Sequence, residues 1–345
     1  GNTLVDDRYL GAVRSDELDV AIGPEDQVHI VWYGPDAGTW YTRLSADGRT
    51  VVPPRILLEH YTGLAVAADG SNHPHLMVSS GYAYHNVWYY IFDEMGRPLL
   101  DGVKLNTHGS RLGAAEVNTV AIDQGGTRHF LWHAEEGDED VLFYPRILST
   151  GVIALNHLTV THLTESWRLG GSVDDVPAMV VDSRGAAHAV WKAKDEQGDY
   201  WLFWRRVDGD GSLSEERRIS LGAYTTGREV KAAIGPRDEL HVIVSHAEYR
   251  ESLGYDEIYG RLDRDGNLLR PFHLLIPDYV DAYRTRISVD AAGDAIVSFR
   301  APGGGSNAPL FVVSTVPDGT ANDTARPDVV VDRAHNVIQP SVGRI

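Results

Sequence analysis

The sequence predicts an all-β fold of the β-propeller class. Three observations predict it: a motif that returns seven times, apolar–polar alternation with period two inside each copy, and glycine-centred turns between its strands. Five segments share one order of apolar strand, Asp or Gly, turn, His and apolar strand: 19–33, 65–79, 119–133, 178–192 and 231–245. Two more, 286–300 and 328–342, keep the order with Ile in the His place. The Asp or Gly always stands six residues before the aligned position: His29, His75, His129, His188, His241, Ile296 and Ile338. Neighbouring copies lie between 42 residues (296 to 338) and 59 residues (129 to 188) apart.

Each copy reads, in order, strand A, tight turn, strand B, loop, strand C, glycine hairpin and strand D. The C–D half is visible in TWYTRLSADGRTV (39–51), WYYIFDEMGRPLL (88–100), YWLFWRRVDGDGSL (200–213) and EIYGRLDRDGNLL (257–269). Four strands repeated at this spacing make a propeller blade. The last copy has only strands A and B before Ile345. Residues 3–14, with Arg8-Tyr9-Leu10-Gly11, match pieces that precede other A strands, such as Arg111-Leu112-Gly113 and Arg168-Leu169-Gly170. The N-terminus is therefore expected to supply the outer strand that closes the ring with the C-terminus and removes a free edge. The expectation is one seven-bladed domain over 1–345, with six blades plus a cap as the alternative.

Composition narrows the partners. The chain has 345 residues, enough for a full core. Its net charge is −18, with 31 basic and 49 acidic side chains, which argues against nucleic acid. No 18-residue apolar run predicts a membrane span, and no charged-then-apolar start reads as a signal peptide. The chain has no Cys, which excludes disulfides, Cys-held zinc and thiol nucleophiles. A monomer is expected.

The repeat also sorts residues by register. In a propeller, strands A line the central channel, and the D–A and B–C loops share the face that carries a ligand site. The recurring His is read as structural, bonding the preceding turn, because a catalytic site takes different residues from different blades. Trp32, Trp132 and Trp191, three residues on, are read as core. The position four after the His is different: it holds Tyr33, Ser79, His133, Lys192, Ser245, Arg300 and Val342. The lead into strand A varies as well, with Asp19, Lys231 and Arg286, and with Arg284 two residues before Arg286. The adjoining loops add Trp167, Arg168, Arg228, Tyr283, His85 and His246. Ordinary solvated loops would also carry Arg, Tyr and His. Against that reading, the cations fall at register positions near the channel mouth, where like charges are costly unless an anion or carboxylates offset them. Asp19, Glu17, Glu229, Asp174 and Asp175 are such local partners.

Aromatic faces with Arg and His suit an acidic oligo- or polysaccharide. Arg binds a carboxylate bidentately, and a Tyr or Trp face packs on a sugar ring. On a uronic acid, Arg or Lys would hold the carboxylate and stabilise developing charge. His or Tyr would take the C5 proton and protonate the leaving oxygen, giving β-elimination. His133, Lys192, Arg300 and Tyr33 are the expected catalytic group. Arg168, Arg228, Arg284, Arg286, His246, Tyr283, Trp167 and His85 are the expected substrate contacts.

The repeats VDSRGAAHAVW (181–191) and YGRLDRDGNLL (259–269) resemble those of seven-bladed propeller proteins of carbohydrate metabolism, among them polysaccharide lyases acting on ulvan-like or rhamnose–glucuronate chains. The resemblance covers the whole chain and implies a carbohydrate-active protein in an extracellular or periplasmic setting. The family's theme of His and Tyr with Arg at the channel mouth is matched here by residue type and register. Sialidases offer a second resemblance, but their Ser-x-Asp-x-Gly-x-x-Trp box is not kept. The Asp182-to-Gly185 gap is one residue longer, and Trp191 lies six after the Gly. An Arg triad would then come from Arg168, Arg228, Arg284, Arg286 or Arg300, with Tyr33 or Tyr283 as nucleophile.

No cofactor is expected. Asp208-Gly209-Asp210-Gly211-Ser212 has the start of a calcium loop, but it aligns with the hairpins at Asp47-Gly48 and Asp265-Gly266, and the hairpin reading is taken. A lectin is the rival class. Lectin propellers repeat their ligand residues in each blade, whereas this register varies from blade to blade. A propeller enzyme acting on a non-sugar substrate is the other alternative.

Overall fold

A computed structural model gives the architecture. It describes residues 18–34, 36–80, 86–106, 119–136, 139–163, 177–194, 200–222, 227–247, 255–276, 283–290, 292–300, 310–314 and 326–331. Among the described residues strands dominate, with one short 3₁₀ turn at Pro24–Asp26. The described strands form six four-stranded antiparallel sheets. The first holds β1 (Leu18–Ile22), β2 (Val28–Tyr33), β3 (Gly38–Leu44) and β4 (Thr50–Glu59). The second holds β5 (Thr62–Ala68), β6 (Pro74–Ser80), β7 (Asn86–Phe92) and β8 (Pro98–Lys104). The third holds β9 (Thr119–Ile122), β10 (Arg128–Glu136), β11 (Glu139–Ile147) and β12 (Ile153–Leu163). The fourth holds β13 (Ala178–Val181), β14 (Ala187–Lys194), β15 (Tyr200–Val207) and β16 (Arg217–Ile219). The fifth holds β17 (Gly227–Ile234), β18 (Leu240–Ala247), β19 (Tyr255–Leu262) and β20 (Leu268–Ile276). The sixth holds β21 (Tyr283–Val289), β22 (Ala295–Arg300), β23 (Leu310–Ser314) and β24 (Arg326–Val331). Every sheet is a meander in chain order, as the repeat requires.

One turn design recurs. At the A–B turn, Asp69 N–H donates to the His73 carbonyl, and Asn72 N–H donates back to the Asp69 carbonyl. The same two bonds close Asp123–Thr127, Gly235–Glu239 and Asp290–Asp294. They also close the C–D hairpins Ser45–Arg49, Asp93–Arg97, Leu148–Val152, Asp208–Ser212 and Asp263–Asn267. The fourth residue of each turn has positive φ, which explains Gly48, Gly96, Gly126, Gly151, Gly211, Gly266 and Gly293 there. The opening Asp caps its own turn: Asp69 Oδ1 accepts from the Ser71 and His73 amides at 2.8 and 3.0 Å. Asp208–Ser212 is such a hairpin, and the Asp210 carboxylate accepts from the Ser212 amide and hydroxyl at 2.8 and 2.7 Å.

The chain divides into two compact units. One comprises Gly1–Arg168, Ser183–Ala189 and Val207–Leu213; the other comprises Leu169–Asp182, Val190–Arg206 and Ser214–Ile345. In the first, β5 packs beside β1 and β9. Val31, Tyr41, Leu76 and Tyr90 make one core layer, and Met77, Tyr89, Phe130 and Trp132 make the next. In the second, β17 packs beside β13 and β21. Val190, Trp204, Val242 and Ile258 form one layer, and Ile243, Tyr259, Ala295 and Val297 form the next. Trp32, Trp132 and Trp191 are all buried, as expected. Strand-C arginines reach the hairpin of another sheet. Arg43 approaches Glu94 at 3.9 Å, and Arg206 bonds Asp265 at 2.6 Å.

The end of the chain differs from expectation. Residues 328–331, expected as the inner strand of a seventh blade, belong to β24 and pair with β23 as the outer strand of the sixth sheet. A run of Val residues fits either place, because alternation alone does not distinguish an inner from an outer strand. The expected closing strand 3–14 and the rest of the seventh copy lie outside the described residues.

Candidate functional site

The recurring His is resolved first. His29, His75, His129, His188 and His241 are fully buried. In four blades Nδ1 faces a strand-C tyrosine hydroxyl: Tyr41 at 3.0 Å, Tyr89, Tyr144 at 2.6 Å and Tyr259 at 2.7 Å. On the other side, Nε2 faces the carboxylate six residues back, Asp69 at 3.2 Å and Asp123 at 3.3 Å. A carboxylate accepts, so Nε2 carries the proton and the tyrosine hydroxyl donates to Nδ1. This is why the Asp-to-His spacing is constant: one carboxylate caps the turn with one oxygen and holds the imidazole with the other. Burial, chiefly, pulls His29, His75 and His241 from 6.5 to about 4. Burial also pushes the Tyr41, Tyr89 and Tyr144 hydroxyls well up. The series is structural, as the sequence suggested.

In two blades Gly replaces the Asp, and another residue fills its space. A Cβ on Gly23 would lie 2.5 Å from Asn72 Oδ1, which stands 3.5 Å from His29 Nε2. A Cβ on Gly235 would lie 2.6 Å from Glu239 Oε1, which stands 3.7 Å from His241 Nε2.

The position four after the His lies within strand B in every described blade. Tyr33 ends β2, opposite Thr39, and is half-buried. His133 lies in β10 opposite Leu142, also half-buried. Lys192 is buried in β14, with its ammonium 4.8 Å from the centre of the Tyr200 ring. The sequence places Lys192 at the loop-face end of strand B; β14 instead runs on to Lys194, which leaves Lys192 inside the strand. Arg300 ends β22, where its backbone pairs with Tyr283 and Leu310. Tyr33 and His133 belong to the first unit, Lys192 and Arg300 to the second.

The remaining expected residues divide into three groups. Tyr283 and Arg284 open β21, Arg228 lies in β17, and the His246 backbone pairs with Gly227 and Asp256. Arg286, expected in the lead into strand A, is instead within β21 opposite Ser298 and donates to the Thr285 carbonyl at 3.1 Å. The sheet begins three residues earlier, at Tyr283, so that register position falls inside it. Asp19 likewise sits within β1, and its carboxylate accepts the Val66 amide at 2.8 Å, tying β1 to β5. Trp167, Arg168 and His85 lie outside the described residues.

The strand starts carry a feature the sequence did not reveal. Between the pairs Gly227–His246 and Val230–Val244, Arg228 and Glu229 stand against Ser245 alone. Between Tyr283–Arg300 and Arg286–Ser298, Arg284 and Thr285 stand against Phe299 alone. Two residues against one is the pairing of a β-bulge. Glu257 was also missed. It is fully buried in β19, accepts from the Ser245 hydroxyl at 3.1 and 3.2 Å, and accepts from the Thr285 hydroxyl. The signal was available. Two residues before the strand-C tyrosine, the other blades have Thr39, Val87 and Leu142, all buried. Of the four blades with that tyrosine, only this one has a carboxylate there. Among the described residues, no group of three or more His, Asp or Glu could hold a metal ion.

With this geometry in view, the chain can be compared with known proteins. No protein-family model matches it. Ribonuclease HI of Halobacterium salinarum is 26% identical over 147 residues, 42% of this chain. The chain spans 60% of that protein's length. The solved structures are closer in form. The BP39L lectin of Burkholderia pseudomallei has a TM-score of 0.63 at 12% identity, over 91% of this chain and 86% of the lectin. An ulvan lyase, a polysaccharide lyase bound to -[GlcA(1-4)Rha3S]-, has a TM-score of 0.59 at 10% identity, over 93% and 84%. A protein of unknown function from Dyadobacter fermentans has a TM-score of 0.59 at 11% identity, over 88% and 96%. These likenesses show a propeller-like fold of the kind found among carbohydrate-related proteins, and at these identities they show the fold alone.

Proposed function

We propose that the chain is a single-domain, carbohydrate-active propeller enzyme that cleaves a uronate-containing polysaccharide by β-elimination. The observation that carries this reading is the contrast between two registers. The buried His repeats from blade to blade, while the position four residues on changes from Tyr to His, Lys, Ser and Arg. A repeated ligand site would keep that position; a single catalytic site varies it. Its strongest cation supply is in the second unit, where Arg228 and Arg284 lie on bulged strand starts and Arg300 pairs with Tyr283.

In this reading, Arg228, Arg284 and Arg300 hold the uronate carboxylate and stabilise charge developing at C5. A base in the same unit, His246, takes the C5 proton. The C4–O bond breaks, a C4–C5 double bond forms, and the leaving oxygen takes a proton from an acid in the same unit. The setting proposed is an extracellular or periplasmic monomer that needs no metal.

The test mixes the protein with a panel of uronate polysaccharides and follows the ultraviolet absorbance of the conjugated double bond. Absorbance should rise, and the rate should fall at least a hundredfold in Arg300→Ala and in the variant of the true base. A flat trace with binding by calorimetry would support the second reading, a lectin, which the likeness to a lectin of the same fold favours. No absorbance change and no binding would end both.

A further inference from the structure

We infer that Glu257 is a positioning residue for the anion-binding strand starts of the proposed site, a role that rests on the reading above. Glu257 is fully buried, at a register that other blades fill with Thr39, Val87 and Leu142. A carboxylate costs far more to bury than these and is kept only where bonded. Its bonds reach two different strands. Ser245, which donates to both of its oxygens, is the residue of β18 that faces the Arg228–Glu229 bulge. Thr285, which also donates to it, is the second residue of the Arg284–Thr285 bulge in β21. One carboxylate thus ties together two neighbouring bulges, and each bulge carries an arginine proposed to hold the substrate carboxylate.

Two-versus-one pairing leaves part of a strand without ladder bonds. Such a segment keeps a fixed shape only if something else holds it. Glu257 supplies that hold while fully buried. It therefore touches neither solvent nor substrate and acts through Arg228 and Arg284.

Backbone amide exchange and calorimetry test this together. In Glu257→Ala, amides of 227–230 and 283–286 should exchange at least tenfold faster, while those of Val242 and Ile243 keep the wild-type rate. Glu257→Gln retains an oxygen acceptor and should restore slow exchange at one bulge or both. If Glu257→Ala does not fold, Thr285→Val reports the β21 bulge alone, which should loosen. Unchanged exchange at the bulges, or acceleration shared equally with Val242 and Ile243, overturns the inference. The ligand arm uses a glucuronate–rhamnose polysaccharide. Wild-type protein should bind it, and Glu257→Ala should bind at least tenfold more weakly. Equal binding despite loosened bulges would overturn the positioning role. No binding by wild type would instead sink the carbohydrate reading, and the exchange data would still decide whether Glu257 holds the bulges.

Discussion

At the scale of single residues, the buried imidazoles decide how the protein responds to acid. His29, His75 and His241 have folded values near 4 against 6.5 in the unfolded chain, because burial disfavours the charged ring. Above pH 6.5 both states are neutral and the full stability is present. As pH falls from 6.5 toward 4, the unfolded chain takes up protons first and stability is lost, by at most ~3 kcal/mol per residue. Thermal midpoints measured from pH 7 to 4 should fall steadily, and the C2 proton resonances of these three rings should not titrate near 6.5. A ring titrating near 6.5 would contradict the burial argument. The tyrosine partner is a second test. Tyr89→Phe strips His75 Nδ1 of its donor and should cost about 1–3 kcal/mol in denaturant titration. The structural role of these His residues was legible, because a repeat that keeps one residue type in five blades is not building one asymmetric site. Glu257 was not read, although its register can be counted back from Tyr259. The alignment rested on strands A and B, and the loops into strand C vary in length.

Among elements, the five-residue turn separates backbone strain from packing. Gly151 and Gly266 both have positive φ, at 84° and 74°. A Cβ on Gly151 meets nothing within 4 Å, whereas one on Gly266 falls 2.4 Å from the Trp204 ring. Gly151→Ala should therefore cost about 1 kcal/mol, the left-handed term alone. Gly266→Ala should cost ~2–4 kcal/mol, because the buried indole must also move. Equal losses in chemical denaturation would mean the indole yields freely. The same turn shows why six sheets were legible and the last assignment was not. The A–B turn of the first five sheets announces itself by Asp or Gly and a buried His partner, and that of the sixth by Asp290 alone, while residues 328–331 precede Ile338, with no His in that place. Their alternation suited a strand, and only pairing with β23 made it an outer one. The bulges were invisible for a related reason: a register shift depends on both strands, and a sequence shows them one at a time.

For the whole molecule, net charge sets the conditions under which it meets a ligand. A charge of −18 repels both itself and an acidic polymer. Raising ionic strength should lift the thermal midpoint by a few degrees, since screening relieves the self-repulsion. Association with a uronate polysaccharide should speed up over the same range, while dissociation also quickens as the local arginine contacts weaken. Stopped-flow rates at several salt concentrations separate the two; a fall in the association rate would show that the local cations, not the overall charge, govern approach.

The two glycines that stand in for the turn aspartate carry a consequence for anyone rebuilding the protein. Gly23 and Gly235 are not vacancies, because Asn72 and Glu239 have moved into the space an aspartate would take. A consensus blade written from the majority motif would restore Asp at 23 and 235 and drive two acceptors into one volume. Gly235→Asp alone should misfold or destabilise, and Glu239→Ala added to it should rescue. The blades thus share a grammar but are not interchangeable parts: the fifth carries its own substitute in Glu239, while the first depends on Asn72 of the second sheet and could not be transplanted without it.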